Sequence, residues 1–279
     1  MKIFLCAICN VSSGNCHEDC QFCAQSIKHN ANIKKYSYKM LSQILEEAKL
    51  ARKRGATGFC LVTSGKSLND TKLQFICEAT HIIRAKIPDF NIIACNGTAT
   101  FEQLKTLKKA GLTSYNHNLE TSKDYFPNIC KSHTWQERFD TCEDVNRAGL
   151  NLVCGGIFGL GESEKQRVSF IESIKQLNAK TVPLNFFHPN SALPIKKKPI
   201  HVEEALKIIK WVKKELPNVK LMVAGGREIT FKDRQNEIFK AGANAIVLGD
   251  YLTTSGKDID KDKKMIKSLG LNIAKVYND

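Results

Sequence analysis

The sequence predicts an α/β fold, a TIM-type (βα)8 barrel in a single domain, and three observations lead to this class. Apolar stretches rich in β-branched residues alternate with amphipathic, helix-like stretches along almost the whole chain. Glycine recurs where a helix stops and the next strand begins. The 279 residues suffice for one large core. A doubly wound sheet is the alternative, and the regular glycine spacing favours the barrel.

The individual elements follow from this alternation. Strands are expected near 3–11, 58–64, 91–95, 113–120, 151–157, 181–187, 219–225 and 244–248. Helices are expected near 40–54, 70–86, 101–110, 134–148, 164–177, 202–215 and 231–240. Glycine stops stand at Gly55, Gly111, Gly149 and Gly242. In such barrels the active site lies inside, at the C-terminal ends of the strands.

Composition narrows the classes of function. The net charge of +14 comes mostly from Lys scattered over helix faces, which favours a solvated surface over a nucleic-acid footprint. No apolar run approaches the roughly 18 residues that a membrane span needs, and the N-terminus lacks a signal-peptide pattern. We therefore expect a cytoplasmic protein without nucleic-acid or membrane partners. Eleven cysteines in that setting favour reduced thiols and metal chemistry.

Three cysteines crowd into Cys16-x3-Cys20-x2-Cys23, directly after the first expected strand. Each thiolate can bind a metal, but a closed zinc site needs a fourth protein ligand. Three thiolates on an iron–sulfur cluster leave one position open for a small molecule. The spacing, with Phe22 before the last cysteine, is typical of radical S-adenosylmethionine enzymes; incomplete zinc or disulfide cysteines are the alternative.

The fourth expected strand carries polar residues with a period of two. Asn116, Asn118 and Glu120 share one face, which should point into the barrel. Buried polar side chains are costly unless they are hydrogen-bonded, so they indicate a ligand. A solvent-facing strand end is the alternative.

Four further residues fall at similar places on other strands, namely Cys60, Cys95, Cys154 and Arg227. If strands two, three, five and seven line one barrel, these residues could converge on a second metal site. The alternatives are small buried hydrophobes and a salt-bridged structural arginine. The remaining cysteines are expected only to pack in the core: Cys6, Cys9, Cys77, Cys130 and Cys142.

Several motifs together carry a resemblance to a known family. They are Cys16-x3-Cys20-x2-Cys23, Gly58-Phe-Cys60, Tyr115-Asn-His-Asn-Leu-Glu-Thr121, Cys154-Gly-Gly-Ile-Phe-Gly-Leu-Gly-Glu162, Val182-Pro-Leu-Asn185 and Gly225-Gly-Arg-Glu228. With these motifs the chain resembles the biotin synthase family from Cys16 to about Leu269. The resemblance implies one radical S-adenosylmethionine barrel domain over 1–279, with a cluster-binding loop at 12–30 and a C-terminal tail at about 255–279.

The resemblance also implies two cofactor clusters. Cys16, Cys20 and Cys23 would hold a 4Fe-4S cluster that binds S-adenosylmethionine and yields a 5'-deoxyadenosyl radical. That radical would abstract hydrogen from dethiobiotin. The sulfur that closes the ring of biotin would come from a 2Fe-2S cluster, whose ligands would be Cys60, Cys95, Cys154 and Arg227.

Further roles follow from the same resemblance. Phe22, Gly156 and Ile157 would pack around the adenine of S-adenosylmethionine. Its ribose and methionine groups would be fixed by Asn118, Glu120 and Arg138. Dethiobiotin would contact Asn116, Asn118 and Asn185, since a neutral ureido ring suits amide donors and acceptors.

Partners implied by the resemblance are an electron donor such as flavodoxin or ferredoxin, and a second copy of the chain in a homodimer. Two other functions stay open at this point. One is a radical S-adenosylmethionine enzyme of the same barrel type that acts on another small molecule. The other is a cysteine-rich metal-binding protein without catalysis, which the inward polar face of the fourth strand disfavours.

Overall fold

A computed structural model describes residues 1–254, 256 and 258–277, and its centre is a closed barrel of parallel strands. The strands are β1 Lys2–Asn10, β2 Gly58–Val62, β3 Asn91–Cys95, β4 Ser114–Asn116, β5 Asn151–Val153, β6 Gly156–Phe158, β7 Thr181–Phe186, β8 Lys220–Val223, β9 Ala245–Leu248 and β10 Asn272–Ile273. Pairing of β1 with β9 closes the ring, which confirms the predicted barrel class.

One of the eight wall positions is shared by two short strands. β5 pairs with β4 and β6 pairs with β7, so β5 and β6 act as one strand that is broken at Cys154 and Gly155. A Cβ on Gly155 would lie 1.9 Å from the carbonyl oxygen of Pro183. Only glycine fits at this break, where two backbones approach closely.

Helices cover the outside of the barrel. They are α1 Leu41–Lys53, α2 Asp70–Lys86, α3 Phe101–Lys109, α4 Trp135–Arg147, α5 Glu164–Gln176, α6 Val202–Glu215, α7 Arg227–Phe231, α8 Glu237–Lys240 and α9 Ile259–Ser268. Reciprocal side-chain caps open α3, α4 and α5, each with Thr or Ser at the N-cap and Gln or Glu three residues later. The predicted glycine stops all adopt positive φ, between 72° and 115°.

The structure departs from the expected elements in the last third of the chain. The helix expected at 231–240 is replaced by α7 and α8, because the helical backbone is interrupted at Lys232, which has a φ of 48°. The tail expected at 255–279 contains α9 and β10, and β10 extends the sheet beside β1. Residues 255, 257, 278 and 279 of that tail lie outside the described residues. No helix in the described part of the chain is long and apolar enough to cross a membrane.

Candidate active site

The interior of the barrel contains a cavity of about 450 Å³ that reaches the carboxyl ends of the strands. Its amino end is lined by Phe4, Lys220 and Tyr277, and the Lys220 ammonium lies over both rings, 4.6 and 4.0 Å from their centroids. At the carboxyl end the loop after β1 contributes Phe22 and Cys23. This volume is in the range that small-molecule sites occupy.

The loop after β1 folds back on itself and gathers its three cysteines. The Cys23 amide donates to the Cys20 carbonyl at 3.0 Å, and the Cys16 amide donates to the Gln25 carbonyl at 3.2 Å. Cys16 and Cys20 are buried, whereas Cys23 lines the cavity. Burial raises the pKa of the Cys23 thiol to about 11, and the neighbouring Cys16 adds to this rise. A metal centre on this loop would therefore face the cavity.

A fourth cysteine stands beside this loop. The Sγ of Cys130 lies 3.6 Å from that of Cys20 and 3.3 Å from Nδ1 of His133. Ligand atoms of these three residues all lie within 4.8 Å of one another, so they could hold a metal ion. The hydrogen bond from Cys20 lowers the pKa of Cys130 to about 5. Cys130 was expected only to pack in the core, and its spacing of three residues to His133 is the sequence signal that points to the cluster.

The polar residues after β4 line the cavity, as their period of two predicts, although the strand itself ends at Asn116. Asn118 accepts a hydrogen bond from the Gly155 amide at 3.1 Å. Glu120 adopts a φ of 69° and lies 3.8 Å from the Arg138 guanidinium. Oδ1 of Asn116 and Oε2 of Glu120 are buried without a partner among the described residues. Both atoms are acceptors, and leaving them unpaired is costly. They therefore indicate a ligand with donor groups.

Asn185 on β7 completes this wall of the cavity. Nδ2 of Asn185 donates to the Gly156 carbonyl at 3.1 Å, and Oδ1 accepts from the Gly225 amide at 2.9 Å. These bonds fix the orientation of the amide in the cavity. Ile157 also lines the cavity, and its amide donates to the Glu120 carbonyl at 2.8 Å. A Cβ on Gly156 would lie 2.3 Å from that same oxygen, so this position needs glycine.

Cys60 and Cys95 point into the cavity, but Cys154 does not. Val153, the last residue of β5, lines the cavity, and Cys154 follows it on the opposite side of the wall. Its thiol is fully buried outside the barrel, 3.7 Å from the Cys142 thiol on α4. The role of Cys154 as a ligand beside Cys60 and Cys95 therefore stays a prediction.

Arg227, the fourth residue expected at the second metal site, does not line the cavity either. It is the first residue of α7, beyond the turn at Gly226, and its side chain is fully buried. Its guanidinium makes two hydrogen bonds to the Asp262 carboxylate on α9, at 2.9 and 2.7 Å. Burial opposes its charge, but these bonds raise the pKa of Arg227 above its usual value. Arg227 thus ties α9 to the barrel, and Met222 is the residue of β8 that lines the cavity nearby.

Comparisons with known proteins agree with this architecture. Residues 10–174 match the family model of the radical SAM superfamily, and residues 183–272 match the biotin and thiamin synthesis associated domain. The chain is 56% identical over 270 residues to biotin synthase of Campylobacter fetus, covering 97% of this chain and 98% of that relative. It is 53% identical over 274 residues to biotin synthase of Sulfurimonas denitrificans, covering 98% of each.

Solved structures share the fold at much lower identity. The hydrogenase maturase HydG from Carboxydothermus hydrogenoformans superposes with a TM-score of 0.83 at 18% identity, covering 97% of this chain and 67% of that one. Methylornithine synthase superposes with a TM-score of 0.82 at 17% identity, covering 98% of this chain and 84% of that one. At these identities the likeness concerns the fold alone.

Proposed function

The chain belongs to the biotin synthase family of the radical SAM superfamily, and we propose that it forms biotin by inserting sulfur into dethiobiotin. One observation supports this proposal above the others. The three-cysteine loop opens on the barrel cavity, and the nearest wall carries buried polar atoms that have no hydrogen-bond partner in the described part of the chain. A radical must be made and used in a space that excludes water, and a barrel interior provides it.

The thiols of the loop fit an iron–sulfur cluster. Cys16, Cys20 and Cys23 offer soft sulfur ligands, which suit iron–sulfur clusters, and three of them leave one iron free. When bound, a 4Fe-4S cluster would supply the electron for reductive cleavage of S-adenosylmethionine to methionine and a 5'-deoxyadenosyl radical. The protein's own task is to hold that ligand next to Cys23 and to keep solvent out.

The residues proposed to hold S-adenosylmethionine lie around Cys23. Glu120 has one carboxylate oxygen free for the ligand's ammonium or ribose hydroxyl groups. Arg138 lies behind it and donates to the Asn118 carbonyl at 2.6 Å, so it positions this wall. Phe22 and Ile157 offer apolar surfaces for the adenine, and the backbone at Gly156 allows close approach.

The proposed dethiobiotin site uses amides and no charge. Asn116 presents an unpartnered acceptor, Oδ1, to which an N–H of a ureido ring can donate. Asn118 and Asn185 flank it, each already oriented by backbone amides. Walls of Ile8, Val62 and Ile93 suit the aliphatic chain of the substrate.

The sulfur donor expected from the resemblance is a 2Fe-2S cluster. Cys60 and Cys95 line the cavity, where they could hold it. The Cys154 thiol lies against Cys142, and Arg227 is paired with Asp262. The ligand roles of these four residues remain proposals.

The proposed partners follow from the reaction. A carrier such as flavodoxin or ferredoxin would deliver the electron, and the net charge of +14 would favour encounter with an acidic one. A homodimer and a location in the cytoplasm remain predictions of the sequence analysis.

The decisive experiment measures S-adenosylmethionine cleavage by the anaerobically reconstituted protein with and without dethiobiotin. We expect dethiobiotin to increase the formation of 5'-deoxyadenosine, and biotin to form with it. Cys16→Ala serves as the control without a functional cluster loop. Cleavage that ignores dethiobiotin and yields no biotin would instead support a radical enzyme acting on another small molecule.

A further inference from the structure

The segment that follows the three-cysteine loop carries an unusual group of exposed apolar side chains. Within the described residues, six large hydrophobic side chains are exposed, and three of them fall between residues 27 and 40. They are Ile27, Tyr38 and Met40, with exposed fractions of 43%, 38% and 64%. Single exposed apolar side chains are ordinary, but three so close together indicate a contact surface.

Backbone hydrogen bonds hold this segment against the start of the cysteine loop. The Ile27 amide donates to the Cys16 carbonyl at 2.8 Å. The backbones of Ser13 and Tyr36 exchange two hydrogen bonds of 3.0 Å each. One backbone hydrogen bond therefore joins the exposed Ile27 to a proposed ligand of the 4Fe-4S cluster, so this surface is the outer side of the cluster loop.

The same segment is strongly basic. The sequence has no acidic residue between Asp19 and Glu46, whereas four lysines fall in that interval: Lys28, Lys34, Lys35 and Lys39. Lys39 is paired with Glu47 on α1 at 2.6 Å, and the other three lysines are exposed. Three exposed ammonium groups thus accompany the three exposed apolar side chains.

The two carboxylates of the cysteine loop are held by a neighbouring loop and not by these lysines. Glu18 accepts a hydrogen bond from the Ser132 hydroxyl at 2.7 Å and contacts Nδ1 of His133 at 2.6 Å. Asp19 accepts from the amides of Lys131 and Ser132 at 2.9 and 3.0 Å. The positive charge of the segment is therefore left to face outward.

These features are those of a surface that binds a redox partner briefly. Interfaces between electron-transfer proteins are small, and opposite charges speed the encounter of the two partners. A second copy of this chain is disfavoured here, because the lysines of two such surfaces would repel each other. The apolar side chains favour a flavin carrier, since the dimethylbenzene edge of a flavin is apolar and Tyr38 can pack against it.

We propose that one surface on the outer side of the cluster loop docks an acidic flavodoxin, with the exposed flavin edge against its apolar side chains. This docking surface consists of Ile27, Lys28, Lys34, Lys35, Tyr38 and Met40. In the docked complex the fully reduced flavin loses one electron, and the oxidised cluster held by the loop gains it. The inference rests on the proposed function, which requires an electron at this loop.

The test follows reduction of the cluster and not turnover. The anaerobically reconstituted full chain is mixed with a stoichiometrically reduced bacterial flavodoxin in a stopped-flow spectrometer, at low and at high ionic strength. Lys34→Glu combined with Lys35→Glu should slow reduction about tenfold at low ionic strength and much less at high, because salt screens exposed charges. Ile27→Ser should slow reduction at both ionic strengths, since salt does not screen an apolar contact. Reduction by photoexcited deazariboflavin, which is small and uncharged, should be the same in all variants.

The matched control is Lys207→Glu combined with Lys210→Glu, which changes the net charge equally at two exposed positions of α6. It should reduce as fast as the parent protein, and calorimetry of the flavodoxin with the cluster-free chain should rank the variants in the same order. Equal losses in both double variants would overturn the proposal by reducing the effect to net charge. Dependence on Lys34 and Lys35 for a ferredoxin but not for the flavodoxin would also overturn it, as would a changed oligomeric state of the Lys34→Glu, Lys35→Glu variant.

Failure of the proposed function would look different. The unsubstituted protein would then cleave S-adenosylmethionine without regard to dethiobiotin, while flavodoxin still reduced the cluster through this surface.

Discussion

The thiols that line the barrel cavity stand in two different settings, one on a loop and one on strands. At the carboxyl end, Cys16, Cys20 and Cys23 lie on a loop held by its own backbone hydrogen bonds, next to Glu120 and other polar groups. Deeper in the barrel, Cys6, Cys60 and Cys95 lie on strands fixed by the parallel ladder, among Val, Ile and Met side chains. A site on a loop can admit and release a ligand, whereas a site on strands holds its group in one place.

The largest expected effect concerns the thiols on the loop. Cys23→Ala should reduce S-adenosylmethionine cleavage to background, because it removes one of the three thiols that the loop offers to a cluster. Product analysis by chromatography checks this, with Cys77→Ala on α2 as the control. Cleavage at the rate of the parent protein would contradict the assignment of Cys23.

A second prediction concerns Arg227, whose guanidinium pairs with the Asp262 carboxylate. Arg227→Met should lower the free energy of unfolding by about 3–5 kcal/mol, since it leaves the buried Asp262 carboxylate without its partner. Denaturant titration measures this effect, and Arg227→Met combined with Asp262→Leu should recover much of it. Unchanged stability with a changed cluster spectrum would instead support the proposed ligand role of Arg227.

A third prediction concerns the polar wall. Glu120→Gln should weaken S-adenosylmethionine binding by about tenfold, or ~1.4 kcal/mol, the scale of one charge-assisted hydrogen bond. Calorimetry on the reconstituted protein measures the affinity. Unchanged affinity would remove Glu120 from the proposed ligand site.

The same substitution has a signature in the pH dependence of stability. Burial raises the pKa of Glu120 above its usual value of 4.5. A carboxyl group with a raised pKa in the folded state contributes stability below its usual pKa and loses that contribution as pH rises through the folded pKa. The ligand-free Glu120→Gln variant should therefore gain stability relative to the parent as pH rises from about 4.5 towards neutrality. Parallel unfolding curves at each pH check this; a constant difference would contradict it.

The smallest expected effect comes from Gly58→Ala. The added methyl group would lie 3.3 Å from Cδ1 of Ile93 and 3.5 Å from the Cys6 Sγ, so the fold should lose about 1 kcal/mol, the low end of the cost of overpacking. Denaturant titration measures this loss. A loss of several kcal/mol would contradict the tolerance expected at this position.

The comparison also shows what the sequence could predict. Helices 70–86 and 202–215 and strand 91–95 have the predicted bounds, because capping residues, amphipathic periods and β-branched runs are local signals. The loop from Cys16 to Cys23 was equally accessible, since its spacing lies within eight residues. The residues that would bind the cluster are close to one another in the sequence as well as in the fold.

The thiols on the strands were less accessible to prediction because they are far apart in the chain. Cys6 and Cys95 are brought near each other by the pairing of β1 with β2 and of β2 with β3, although the alternation along β1 could have shown that Cys6 points inward. The Cys154 thiol packs against Cys142 on α4, and Arg227 pairs with Asp262 on α9. Both contacts join parts of the chain whose relative placement local sequence signals do not give.

The broken strand has a consequence for how this wall can vary among related chains. Side chains on either side of a strand alternate, so gaining or losing one residue between Val153 and Gly156 exchanges the inner and outer positions. Gly155 and Gly156 would still meet the backbones of Pro183 and Glu120, so the barrel could keep its shape. A one-residue insertion or deletion at this point would therefore move the Cys154 thiol from its place against α4 to the cavity.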